Sequence, residues 1–190
     1  SERPVPVAHP CTPGHTGPDG GPCTACEEGK FKLSTGSAAC EACEAGKYKD
    51  KAGPGQCLAC PEDSHADEGS DSVKDCVCNI GFSGPHGGPC TACQAGTYKD
   101  APGAGECKQC EAGKFKEDIG TGLCTACAPH SHALPGSDSK EDCMCNVGFN
   151  GPHGGPCTSC EEGKYKDSVG AGACSACPSN SVAPAASEIE

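Results

Sequence analysis

The chain has 190 residues, among them 21 Cys, 28 Gly and 17 Pro, with no Trp, one Met and seven aromatics in all. Cysteine exceeds the roughly 8–10% that marks a disulfide scaffold, and so few large apolar side chains exclude a conventional core, whose burial normally offsets the entropy of ordering. Fourteen basic against 26 acidic residues give a net charge of −12, which argues against nucleic acid and anionic lipid, since both need clustered Lys and Arg.

Read in chain order, the sequence repeats. Residues 23–89 and 90–156 are identical at 38 of 67 positions, so self-similarity sets the architecture. Residues 1–22 are the tail of such a repeat, because Cys11 through Cys23 align with Cys78 through Cys90. Residues 157–190 begin a third copy that drops one short unit, as Cys177-Pro178-Ser179-Asn180-Ser181 matches Cys60-Pro61-Glu62-Asp63-Ser64. The predicted domains are thus 1–22, 23–89, 90–156 and 157–190. The chain starts at Ser1 rather than Met and ends inside a repeat, which reads as a mature product or an excerpt of a longer array.

A 17-residue period lies inside the long one: Cys23, Cys40 and Cys57, then Cys90, Cys107 and Cys124, then Cys157 and Cys174. The short unit reads C-x-x-C-x-x-G-x-[FY]-K, with Phe31, Tyr48, Tyr98, Phe115 or Tyr165 as its aromatic; Phe82 and Phe149 sit in a Gly-Phe step of the longer unit. Each aromatic is expected to be the apolar plate that packs on its own module's sulfurs. Gly at regular turn positions predicts short hairpins. Only 64–75 and 131–142 are candidates for a helical turn. Units this small contact their neighbours alone, so the array is quasi-one-dimensional. It is expected to be an elongated rod, well beyond the ~16 Å radius of gyration of a globular chain of this length.

Eight C-x-x-C pairs, two C-x-C pairs (Cys76/Cys78 and Cys143/Cys145) and Cys11 make up the cysteines. Paired C-x-x-C steps resemble a zinc ribbon, in which four thiolates close a tetrahedral site. Disulfides fit better, because C-x-C suits a zinc knuckle poorly and each unit has the size of a one-bridge loop. A redox-active C-x-x-C lacks its βαβ setting. Nearest-neighbour pairing gives Cys11–Cys23, Cys26–Cys40, Cys43–Cys57, Cys60–Cys76, Cys78–Cys90, Cys93–Cys107, Cys110–Cys124, Cys127–Cys143, Cys145–Cys157 and Cys160–Cys174. Sequence leaves the connectivity open: a crossed scheme joins Cys43 to Cys60 and Cys57 to Cys76. Cys177 remains over, either unpaired or bridged to a second copy, because its partner position falls at 193.

The block Cys78-Asn79-Ile80-Gly81-Phe82-Ser83-Gly84-Pro85…Cys90 is similar to the last loop of an EGF-like domain. The run Cys40-Glu41-Ala42-Cys43-Glu44-Ala45-Gly46-Lys47-Tyr48-Lys49…Cys57-Leu58-Ala59-Cys60-Pro61…Cys76-Val77-Cys78 resembles the ephrin-receptor-like cysteine-rich repeat of GCC2/GCC3 type. The C-x-x-G-x-[FY] hairpin resembles the one-bridge modules of TNF-receptor-like repeats. The resemblance covers residues 11–177. It implies a small disulfide-rich fold, a linear array of short β-hairpin and turn modules with almost no helix. It also implies an extracellular, secreted or cell-surface location and a spacer or interaction role without catalysis. Arrays this regular resemble extracellular-fibre and cell-surface proteins of algae and protists. The Asp-x-Asp/Asn-Glu signature of calcium-binding EGF modules is absent.

No other chemistry is indicated. The histidines are His9, His15, His65, His86, His130, His132 and His153; those that recur per repeat read as turn or surface residues, whereas a catalytic His is needed once. Glu62-Asp63, Asp67-Glu68 and Glu141-Asp142 read as solvated loop charge, and the Gly-rich segments lack the P-loop Lys-Ser/Thr. No N-x-S/T site occurs; Pro4-Val5-Pro6 and Pro184-Ala185-Ala186-Ser187 suit O-linked glycans. No apolar run approaches a membrane span, so neither membrane insertion nor a cofactor is expected.

The functional expectation is a structural extracellular subunit or segment of a filament, matrix or flagellar appendage. Its partners would be copies of itself, end to end or lateral, or other extracellular proteins and glycans. The alternative is a receptor or adhesin ectodomain segment that binds a protein ligand. Lys30, Lys32, Lys47, Lys49, Lys99, Lys114, Lys116, Lys164 and Lys166 recur beside the aromatics, and a fixed charge period with the acidic loops would set the register between copies.

Overall fold

A computed structural model describes residues 9–179, 181–183 and 185. Among them are twenty strands of two residues each, and every sheet is two-stranded. Helical backbone among the described residues is confined to two 3-10 turns, Val73–Asp75 and Lys140–Asp142, at the ends of the two expected windows. The fold is thus small, disulfide-rich and almost free of helix. The suggested glycan segments at residues 4–6 and 184–187 fall outside the described residues except for Ala185.

The local rule is the C-x-x-G turn. In Cys26-Glu27-Glu28-Gly29-Lys30 the Lys30 amide donates to Glu27 O at 3.1 Å, and Gly29 has φ of 73°. That is the type II pattern, whose third position needs a positive φ. The turn launches Lys30–Phe31, which pairs antiparallel with Glu41–Ala42 in the register Lys30↔Ala42 and Phe31↔Glu41. Asp63 (φ 57°) and His130 (φ 62°) hold the same place in the longer modules, a left-handed conformation that costs a non-glycine residue roughly 1–2 kcal/mol.

Packing divides the chain into two units, each described by itself. The first comprises Ser1–Asn79, Ser83–Thr91 and Pro102–Gly105. In it His15–Thr16 pairs with Thr24–Ala25, Lys30–Phe31 with Glu41–Ala42, Lys47–Tyr48 with Leu58–Ala59, and Ser64–His65 with Val77–Cys78. Successive modules are sewn by backbone bonds: Gly14 N–H to Lys32 O, Gly29 N–H to Lys49 O and Gly46 N–H to Ala66 O, at 2.7–2.8 Å. A second series runs from Gly36, Gly53 and Gly69 amides to the Cys11, Cys26 and Cys43 carbonyls.

The second unit comprises Ile80–Phe82, Ala92–Ala101 and Glu106–Glu190. It pairs Thr97–Tyr98 with Lys108–Gln109, Lys114–Phe115 with Thr125–Ala126, Ser131–His132 with Met144–Cys145, Phe149–Asn150 with Thr158–Ser159, and Lys164–Tyr165 with Ser175–Ala176. The same stitching recurs, with Gly81, Gly96, Gly113 and Gly148 amides donating to the carbonyls of Lys99, Lys116, Ala133 and Lys166.

The core differs from the expectation. No aromatic is buried: six are half-buried and Tyr165 is exposed. The interior is half-cystine with Ala66, Ala133 and, unexpectedly, Lys32, Lys49, Lys99, Lys116 and Lys166, each at most 5% exposed. The physical reason is length. A lysine's four methylenes can be buried while its ammonium reaches inward, the reverse of snorkelling to water. The Lys32, Lys49 and Lys116 ammoniums meet backbone carbonyls, whereas the buried Lys166 Nζ has no hydrogen-bond partner. Lys32 Nζ donates to His15 O at 2.9 Å and to Gly36 O at 2.6 Å; Lys49 donates to Lys51 O and Lys116 to Asp118 O. Burial holds the Lys99 ammonium below its ordinary pKa. These five lysines are therefore withdrawn from the charge period proposed for register between copies.

Candidate interaction surface

The cysteines are the first residues to place. The structure joins Cys11 to Cys23, Cys26 to Cys40, Cys43 to Cys57, Cys60 to Cys76, Cys78 to Cys90, Cys93 to Cys107, Cys110 to Cys124, Cys127 to Cys143, Cys145 to Cys157 and Cys160 to Cys174. Each bridge closes one module of 12, 14 or 16 residues' separation. Cys177, half-buried, forms no bridge within the chain. Its amide donates to Gly163 O, as the Cys60 amide does to Gly46 O.

The type II turn also sets the exposed chemistry. Its first and fourth residues end side by side, so Glu27 meets Lys30, Glu44 meets Lys47, Glu111 meets Lys114 and Glu161 meets Lys164, at 2.7–2.9 Å. The lysine's hydrogen bond, then its charge, lowers the pKa of Glu27, Glu44, Glu111 and Glu161. The four remaining lysines of the proposed charge period are thus paired within their own turns.

Three shallow clefts adjoin these pairs. One is lined by Phe31, Leu33, Glu44, Lys47, Gln56 and Cys57. Another is lined by Tyr98, Asp100, Glu111, Lys114, Leu123 and Cys124, the same positions 67 residues on. The third, at Glu161 and Lys164, is lined by Asn150, Thr158, Ser159, Cys160, Ala173 and Cys174 and has no aromatic.

The histidines serve turns. His65 Nδ1 donates to Asn79 Oδ1 and His132 Nδ1 to Asn146 Oδ1, both at 2.7 Å. His86 and His153 donate to Lys74 O and Glu141 O. His130 stacks on Phe149 with ring centroids 4.1 Å apart. His15 contacts Thr12 and Pro13.

Some roles escaped the sequence reading. Asp75 and Asp142 close capping boxes with Ser72 and Ser139 over the 3-10 turns; the Ser-x-x-Asp spacing in both copies was the available signal. The buried lysines had one too, since Lys follows the aromatic in all five short units.

A chain of one-bridge hairpins, stitched module to module through glycine amides around half-cystine, is a tandem cysteine-rich repeat protein. Residues 33–76 and 149–187 match the family model described as tyrosine-protein kinase ephrin type A/B receptor-like. The chain thus carries tandem ephrin-receptor-like cysteine-rich repeats. No curated protein matches it. Among the described residues, no helix is long and apolar enough to cross a membrane.

Proposed function

We propose that the chain is a non-catalytic structural segment of an extracellular protein, a subunit or stretch of a filament, matrix or surface appendage. One observation carries this reading: among the described residues the buried apolar residues are half-cystine and two alanines, and no leucine, isoleucine or valine is buried. Leu33, Leu58, Ile119, Leu123 and Leu134 are exposed. Such a chain holds its fold only where thiols stay oxidised, which favours secreted and surface proteins. Copies of the chain are its proposed partners.

The ephrin-receptor-like match supports a second reading, an ectodomain segment that binds a protein ligand. Surface labelling of intact cells, followed by electron microscopy of the purified material, tests both. Label at the surface with ordered filaments supports the structural reading. Surface label on material that stays monomeric supports the ectodomain segment, and intracellular, reduced material defeats both.

A further inference from the structure

The clefts at Phe31 and at Tyr98 have the same construction, each inside one unit. A ring from one module, a half-cystine and the next module's Glu–Lys pair form the shared walls, completed by Leu33 and Gln56 in the first cleft and by Asp100 and Leu123, at the equivalent positions, in the second. The volumes are about 170 and 260 Å³, below the roughly 300–1,000 Å³ of pockets that enclose drug-sized ligands. A single six-membered ring suits that scale.

The walls select its chemistry. In each pair the ammonium and carboxylate are 2.8 Å apart, and the further carboxylate of the second cleft, Asp100, faces Lys108 at 3.8 Å, so the charges at each site are paired. Both keep capacity: the carboxylate has further lone pairs and the ammonium further N–H bonds. A ligand must therefore offer donors and acceptors along one edge and an apolar face to the ring. An anion such as phosphate is repelled by the Glu44 or Glu111 carboxylate and meets a chain of −12. A cation meets Lys47 or Lys114. An aliphatic side chain would strip water from the ion pair without replacing its hydrogen bonds, which is costly.

From these walls we infer that the two ring-bearing clefts are subsites for a neutral pyranose of a glycan. The C–H face of the sugar lies on Phe31 or Tyr98, and adjacent hydroxyls donate to the glutamate and accept from the lysine. The cleft at Glu161 and Lys164, without a ring, is the internal control. The inference needs only the single chain and does not depend on filament formation.

The test is a two-dimensional amide NMR titration of the full 190-residue chain with the methyl pyranosides of glucose, galactose and mannose. The titration spans the millimolar range. Saturable shifts are expected at Leu33 and Lys47 and at Leu123 and Lys114, with none at Lys164. Phe31→Leu and Tyr98→Leu, which keep apolar bulk but remove the ring, should each weaken binding at least tenfold in their own cleft and leave the other unchanged. The disulfide map of each variant serves as the folding control. No shift with any neutral sugar, equal shifts at Lys164, response only to glucuronic acid or to a leucine-rich peptide, or retained affinity in both correctly bridged variants would overturn the inference.

Discussion

Lys32 Nζ donates a hydrogen bond of 2.9 Å to the carbonyl oxygen of His15, 17 residues earlier and one module back. A residue type that normally faces water thus acts as a peg between modules. Lys32→Ala removes the stem and leaves two carbonyls short of a donor; charged hydrogen bonds contribute about 1.5–3 kcal/mol. Hydrogen exchange at the Gly14 amide, which donates to Lys32 O, should accelerate by one to two orders of magnitude, about 1.4 kcal/mol per factor of ten. Lys30→Ala, at the exposed position two residues earlier, should leave it unchanged, and equal effects would refute the peg.

Removing the Cys43–Cys57 bridge as a double Ser variant should cost about 3 kcal/mol by the chain-entropy model for a loop near 15 residues. The loss should be local, read as new protease cleavage between 43 and 57. Peptide mapping without reduction of the native chain should recover Cys43 with Cys57 and Cys60 with Cys76. Recovery of Cys43 with Cys60 would favour the crossed scheme.

Two glycines of one turn type should respond differently to alanine. Gly46 (φ 81°) has nothing within 4 Å of a built Cβ, so Gly46→Ala should cost only the left-handed strain, about 1–2 kcal/mol. Gly29 (φ 73°) would place its Cβ 2.1 Å from the Gly69 carbonyl oxygen. Gly29→Ala must push two modules apart and should lower the thermal midpoint clearly more than Gly46→Ala does. A smaller drop would mean that this close approach is absent in solution.

The Glu27, Glu44, Glu111 and Glu161 carboxyls should titrate below the ordinary 4.5. Their folded pKa values are depressed, so the folded state binds fewer protons than the unfolded one in that window. Their small stabilisation is complete above about pH 5 and is lost as pH falls through the depressed values. Carboxyl-detected NMR of Lys47→Ala should move the Glu44 midpoint up toward 4.5 and leave Glu111 in place. An unmoved Glu44 would show that the pair does not persist in water.

Much of the fold was legible because its determinants are local and periodic. Cys-x-x-Cys-x-x-Gly carries a bridge and a type II turn within a few residues, and Gly29 or Gly46 can be read as a turn glycine without knowing what surrounds it. Of the interaction surface less was legible. Glu44 and Lys47 stand three apart in plain view, but that they share a cleft with Phe31 depends on how one module meets the next.

By itself the sequence determined the repeat, the hairpin class, the scarcity of helix and the dependence on cysteine, because spacing along the chain dictates them. The tertiary structure decided that lysines rather than aromatics are buried in the modules and that His130 stacks on Phe149. The lysine burial turns on whether a carbonyl such as His15 O lies within reach of a long side chain from the next module. Composition and hydropathy, which score Lys by its charge and Phe by its ring, carry no record of that distance.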